Sequence, residues 1–340
     1  MLIIRPTRIE DLDQIYALSN LTGIGLTTLP NNREVLMRRI KTSAASFAAD
    51  PDRPGGEQYL FVLEDSDKKK IAGTCGIVSR VGGFDPFYTY EIKTETRFSK
   101  TLNVRKKIEY LKLLVDHSGP SEIATLFLSP EYRQQGNGRF LSLSRFLFIA
   151  QFRRCFKETV IAELRGVIDE KGCSPFWEAL GRHFFDVEFK KADLMVMLDK
   201  SFIADLMPTH PIYITLLAKE AQAVIGQVHK DSQAAKHLLE EEGFAFNNQI
   251  DIFEAGPLME AHAANIRTVK ESKEAGVSQI IGKSVDSPLY LIANVTSFKK
   301  FCVTRGCLNL NKDGSVGLTK ETARAIGIKE GGKVRYVLVH

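Results

Sequence analysis

"SPEYRQQGNGRFLSLSRFLF", residues 129–148, decides the fold. An apolar run that reads as a strand, "IATLFLS" (123–129), leads into it, and an apolar run that reads as a helix leaves it. Between the two stand Arg133, Gly136 and Gly138, where the helix is about to begin. A helix start carries N–H groups without acceptors and the positive end of the helix dipole. Glycine there takes positive φ and lets a bound group approach the backbone closely. A pyrophosphate is an anion that such a place suits. A plain strand–turn–helix with glycine in the turn fits the same residues, so the surroundings have to decide.

The helix downstream shows Phe140, Leu143, Leu147 and Ala150 at spacings of 3, 4 and 3, the mark of a packed face. Its apolar window, Phe140–Phe152, is about 13 residues long and carries Arg145, whereas a membrane span needs about 20. It reads as a buried helix of a soluble protein.

Upstream, a short strand at "LII" precedes a helix over roughly 8–20, with Thr7 as N-cap and Glu10 completing a capping box. A turn-rich loop, "TGIGLTTLP" (22–30), leads to a second helix from Asn32 to about Ala48, closed by "DPDRPGG". "YLFVLED" (59–65) and "IAGTCGIVSRV" (71–81) flank the polar turn "SDKKK" as a hairpin. Downstream, "TVIAELRG" (159–166) reads as a strand and "SPFWEALGRHFF" (174–185) as a helix with Ser174 as N-cap and Pro175 in its first turn. A further helix is expected within 205–229, and "AAKHLLEEEGFAF" (234–246) echoes 174–185, a partial duplication from about residue 186. Strands and helices in this order predict an α/β (α+β) fold on a mixed central sheet. From about 256 to 340 short β-rich pieces punctuated by glycine suggest a small barrel-like subdomain, leaving 1–255 as the main domain.

With 46 Lys and Arg against 41 Asp and Glu, the chain carries a net charge of +5 spread without a basic block. That suits anionic small molecules and argues against nucleic acid or a membrane as partner. Five widely spaced cysteines without a CxxC read as free thiols of a cytoplasmic protein. None of the seven histidines makes an HxxxH, and no metal site is expected.

"LFLSPEYRQQGNGRFL" (126–141), with "IIRPTRIEDLDQI" and "LFVLEDSDKKKIAGTCGIV", resembles the GNAT superfamily of CoA-dependent N-acyltransferases. "GIGLTTLP", "DHSGPSEIATLFL", "AELRGVIDEKGCSPFWEALG", "MPTHPIY", "EAQAVIGQVH" and "EGFAFNNQIDIFEAGP" resemble the arginine N-succinyltransferase family, which includes heterodimeric arginine/ornithine succinyltransferase subunits. The tail resembles that family less well, and Cys173 stands where a tyrosine is expected, which argues against an acid role for a side chain at 173. The resemblance implies transfer of succinyl from succinyl-CoA to the α-amine of L-arginine, in arginine catabolism. It implies no permanently bound cofactor, and assembly as a homo-oligomer or as a heterodimer with a paralogous subunit.

The amine must lose a proton before attack, and the departing thiolate must gain one, work suited to a histidine. By resemblance His229, ending "VIGQVH", is the proton donor. Leu126 contacts succinyl-CoA through its backbone, and Arg133, Gln134, Gln135, Gly136, Asn137 and Gly138 hold the pyrophosphate. The "TGIGLTTLP" loop borders the acceptor. Arg165, Lys171 and Arg145 are candidates for the succinyl carboxylate, and Glu122, Glu163, Asp169 and Glu170 for the guanidinium. Two other readings stay open: a non-catalytic acyl-CoA- or arginine-binding regulator, and an N-acyltransferase for another acyl-CoA or for ornithine.

Overall fold

The computed structural model describes residues 1–22, 28–196, 198–282 and 287–339. β1 (Leu2–Pro6) leads through a 3₁₀ turn at Ile9–Asp11 into α1 (Leu12–Ser19). The expected cap moves by one residue. Arg8 occupies the N-cap position and its N–H donates to Asp11 Oδ2 at 2.8 Å, while Thr7 is buried without a partner for its hydroxyl. The reason lies in Arg5, whose guanidinium grips both oxygens of Asp11 at 2.7 and 2.8 Å and draws that carboxylate inward in place of Glu10. α2 (Arg33–Ala49) starts as expected at Asn32, whose side chain accepts from Glu34 and Val35 N–H.

β2 (Gln58–Asp65) and β3 (Lys70–Val78) form the expected hairpin. A second hairpin, β4 (Phe87–Ser99) with β5 (Val104–Asp116), pairs 13 residues with 13, and sequence reading assigned no strands there. β6 (Ser121–Leu128), α3 (Asn137–Gln151) and β7 (Thr159–Glu163) follow. The single helix expected over 174–185 is two, α4 (Pro175–Ala179) and α5 (Gly181–Phe185), broken at Leu180. Gly181 there lies so close to Trp177 that an added Cβ would meet the indole at 2.2 Å. α6 (Phe189–Val196), α7 (Ser201–Leu206), the two-residue β8 (Ile212–Tyr213) and α8 (Lys219–Val224) come next. The stretch 205–229 therefore holds only short pieces. α9 (Gln233–Glu241), β9 (Ala245–Ile250), β10 (Pro257–His262) and α10 (Arg267–Glu271) precede a strand-rich end. That end comprises β11 (Lys273–Ile281), β12 (Tyr290–Asn294), β13 (Cys302–Gly306), β14 (Leu308–Leu310), β15 (Val316–Thr319), α11 (Lys320–Ala325) and β16 (Lys333–Leu338).

The fold is mixed α/β, built on one large sheet in the order β14-β15-β11-β16-β12-β13-β1-β2-β3-β6-β7-β10-β9-β4-β5-β8. Among the described residues β6·β7 and β11·β15 are parallel and the other pairs antiparallel. Every residue of α3 from Phe140 to Ile149 is buried, because strands from both ends of the chain close over it. Phe148 meets rings from α2, from β2 and from Phe298 and Phe301. A helix enclosed this way needs no polar face, which explains its nearly unbroken apolar run. Among the described residues no helix is long and apolar enough to cross a membrane.

At the end of β7 the chain passes β10 at very close range. An added Cβ on Gly256 would lie 2.0 Å from Leu164 O, and one on Gly166 would lie 2.2 Å from Glu254 O. Forcing atoms into such a space typically costs about 1–3 kcal/mol. Gly256→Ala is expected to lower the free energy of urea unfolding by about that much, read from the denaturation midpoint at constant slope.

Candidate active site

β6 is the strand on which the site is built. It shares parallel register with β7 only at Ser121↔Val160 and Glu122↔Ile161, and from there the two strands part. On its other edge the register with β3 slips between Thr74 and Gly76, so that β6 carries an extra residue. Thr125 sits in that bulge with φ +55°, a left-handed conformation that is unfavourable for a β-branched residue. Its carbonyl accepts from the Thr74 hydroxyl at 3.1 Å, which holds the irregularity in place. Leu126 follows directly, its side chain packed on the main core, so only its backbone is offered to the gap.

Beyond β6 the chain turns through Pro130–Tyr132 into the glycine loop. Arg133 folds back, its Nε donating to Leu128 O at 2.9 Å and its guanidinium lying 5.8 Å from the Phe127 ring. Gln134 is exposed and bonds only locally. Gln135 and Gly136 both take positive φ, +52° and +69°, and Gly136 is the N-cap residue of α3. Asn137 is buried and its amide donates to Tyr132 O at 3.0 Å, which pins the loop from beneath. Around Gly138 an added Cβ would meet open space. Asn137 N–H is taken by Gln134 O at 3.0 Å, which leaves the N–H groups of Gly138 and Arg139 as the first-turn donors with no acceptor in their own helix.

One contributor to this loop was not visible in the sequence. Arg305, on β13, donates from Nη1 to Gln135 O at 2.6 Å and from Nη2 to Asn137 Oδ1 at 2.5 Å, above the Phe140 ring. Among the described residues no carboxylate lies within ion-pair distance of it. A lone arginine about 170 positions from the loop carries no local signal. Only the β1·β13 pairing brings it there.

On the face of the sheet away from α3, carboxylates gather. Glu122 stands beside Ile161, and Glu163 is two residues further along β7 on that same face. Asp251 and Glu254, in the turn between β9 and β10, complete the group. Protein walls and the charges of Glu122, Asp251 and Glu254 push the Glu163 carboxyl well above the ordinary range, although its surface stays open to the cleft. Burial likewise raises Glu122, Asp251 and Glu254. Glu254 accepts from Gly166 N–H through Oε1, while its buried Oε2 has no partner. Of the other acidic candidates, Asp169 accepts from the N–H groups of Lys171 and Cys173 in an exposed turn, and Glu170 is exposed.

His229 lies at the same end of β7, its N–H donating to Arg165 O at 2.8 Å. Its Nδ1 accepts from Asp231 N–H at 3.2 Å, which leaves the proton of the neutral ring on Nε2. Asp231 Oδ2 is 3.6 Å from Nδ1. Burial first, and then the Arg165 charge, lower the imidazole's pKa, so the ring is neutral at pH 7. His117 and His210 are exposed. Arg145 is buried inside α3, bonded to Ser142, and Lys171 is exposed in its turn, whereas Arg165 has a buried Nε without a partner. Residues 23–27 of the "TGIGLTTLP" loop lie outside the described residues.

A sequence-family profile described as the arginine N-succinyltransferase beta subunit matches residues 2–268, and one for the C-terminal domain of that subunit matches residues 273–337. The arginine N-succinyltransferase of Yersinia pestis (strain Pestoides F) is 44% identical over 99% of this chain and 97% of its own length. That of Photorhabdus laumondii is 43% identical over 99% and 98%. Among solved structures, subunit AI of the arginine/ornithine succinyltransferase from Pseudomonas aeruginosa superposes with a TM-score of 0.91. It is 35% identical, covering 100% of this chain and 99% of that one.

The Arg305 contacts generate a direct test of how the loop is held. Hydrogen bonds to charged groups contribute about 1.5–3 kcal/mol. In Arg305→Ala, amide exchange at Asn137 and Phe140, which donate to Gln134 O and Gly136 O, is expected to quicken by about tenfold or more. Unchanged protection there would show that the loop keeps its shape without β13.

Proposed function

The chain belongs to the arginine N-succinyltransferase family, and from that premise we propose how its cleft carries succinyl from succinyl-CoA to the α-amine of L-arginine. The observation that carries the reading is the parting of β6 from β7 beside the Thr125 bulge, directly upstream of the glycine loop and the α3 N-terminus. This layout is GNAT-type, with the β-rich C-terminal part as a barrel-like subdomain. The unpaired edge of β6 receives the pantetheine arm as an added strand would. The backbone at Leu126 meets the thioester. Arg133, Gln134, Gln135, Gly136, Asn137 and Gly138 cradle the pyrophosphate, with Arg305 adding a positive charge above them.

The acceptor enters from the carboxylate-lined face. Among the described residues Glu122, Glu163, Asp251 and Glu254 make no ion pair at contact distance, Lys200, Arg39 and Arg165 acting on them only from farther off, and a guanidinium is a planar donor that suits such a group. The amine attacks the thioester carbonyl, and the tetrahedral intermediate expels the CoA thiolate. His229 moves the one proton that must travel, from the attacking nitrogen to the sulfur. With Nδ1 held by Asp231 N–H, Nε2 gives its proton to the departing sulfur and takes the attacking nitrogen's proton in its place. Free cysteines suit a cytoplasmic setting. Assembly as a homo-oligomer or with a paralogous subunit is part of the same reading.

Release of free CoA thiol from succinyl-CoA on adding L-arginine tests the function, with L-ornithine as the comparison acceptor. No thiol release with either amino acid would sink it. For the loop, Gly136→Asp adds a carboxylate beside Arg305 Nη1, 3.8 Å from the added Cβ position, at a residue with φ +69°. KM for succinyl-CoA should rise by about tenfold or more, with circular dichroism unchanged. For His229→Ala, kcat should fall by about 10²–10⁴ with KM largely kept. Because its pKa is depressed, wild-type kcat/KM should hold down to about pH 6.5 and fall only on further acidification, where Nδ1 becomes protonated and loses the Asp231 N–H that orients the ring. A near-wild-type kcat in the variant at every pH would exclude it.

A further inference from the structure

We propose that Arg39 binds the distal carboxylate of the succinyl group, and thereby makes the enzyme choose a dicarboxylic acyl donor over a plain one. The inference rests on the reading that places the thioester at the β6 bulge.

Arg39 projects from α2 towards the bulge itself. Its Nη2 is 3.4 Å from Thr125 Oγ1, a long and weak contact. The cavity at this point is small, about 10 Å³, and Arg39 and Thr125 wall it together with residues of β2 and β3 that include Gln58, Tyr59 and Gly76, so the half-exposed guanidinium offers its open side to a ligand. No carboxylate among the described residues lies within ion-pair distance of the guanidinium. Glu122 is the acidic group that acts on it, and burial biases Glu122 towards its neutral form. Arg39 is therefore half-buried and, among the described residues, has no carboxylate at ion-pair distance, so a ligand's anion can complete its pairing.

The substrate supplies it in the right place. In an extended succinyl chain the carboxylate carbon lies roughly 4 Å beyond the thioester carbonyl at ordinary carbon–carbon bond lengths. With the carbonyl at Leu126, a step of that length reaches the neighbourhood of Thr125 and Arg39. A guanidinium can hold a carboxylate through two parallel N–H donors, which an acetyl group cannot use. The α-carboxylate of the amino acid is the competing anion. The acidic group at Glu163, Asp251 and Glu254 draws the acceptor's cationic end to the β7 side, whereas Arg39 belongs to the β3–β6 side, which favours the acyl chain.

Arg39→Gln and Arg39→Lys in the full chain test this, with calorimetric Kd values for succinyl-CoA and for CoA, and KM for L-arginine. In Arg39→Gln, the Kd for succinyl-CoA should rise about tenfold to a hundredfold while that for CoA stays at the wild-type value. Arg39→Lys should keep part of the difference, and KM for arginine should hold. Equal weakening of CoA and succinyl-CoA, no change in either, or a rise confined to the arginine KM would each overturn the assignment. Gly136→Asp separates the two levels. If it abolishes CoA binding while Arg39→Gln leaves succinyl-CoA untouched, Arg39 alone is wrongly assigned. If it leaves CoA binding intact, the placement of the donor fails, and the Arg39 proposal falls with it.

Discussion

Enclosure of α3 is the constraint on which the rest depends. Its side chains are buried from Phe140 to Ile149, under β2 and β3 on one side and against β12, β16 and the Phe298–Phe301 turn on another. A helix held on all sides cannot shift along its axis without breaking many contacts. Its first turn is therefore fixed in space, and with it the outward-facing N–H groups beside Gly136. Arg145 shows how strict this enclosure is. It is one of the few charged groups there, and it spends its donors on Ser142 O and Oγ within the helix and, through Nη1, on Ala124 O of β6 at 3.5 Å.

The bulge at Thr125 works against the same rigid background. A β-branched residue at φ +55° is held by the Thr74 hydroxyl and touched from α2 by Arg39 Nη2 at 3.4 Å. Without that slip, β6 would keep even register with β3, and the backbone around Leu126 would turn differently towards the gap. Strain of this sort, of order 1–3 kcal/mol, persists only where the surroundings over-determine it.

Local pattern carried much of the fold. The 3–4–3 spacing after Gly138, the "SDKKK" turn and the Asn32 cap each appear in the structure close to where the residues place them. The long β4–β5 hairpin was hidden because its charged alternation, Glu91, Lys93, Glu95 and Arg97, breaks up the apolar pattern, and of its apolar residues only Tyr90 and Leu111 are fully buried. The break at Leu180 depends on Trp177 filling the space beside Gly181, which spacing alone does not reveal. The glycine loop was legible for the same reason that the 3–4–3 helix was: its meaning lies in adjacent residues. Arg305, Arg39 and the joining of Glu122 with Asp251 and Glu254 were not, since each depends on strands or helices far apart in sequence meeting at one place.

The pairing of β1 with β13 sets Ile3 opposite Thr304, about 300 residues later. During synthesis the first strand emerges long before its second neighbour exists. Until β13 has been made, one edge of the nascent sheet stays open to solvent and to other chains. Late closure of that edge, when the chain refolds from denaturant, is what so distant a register leads one to expect.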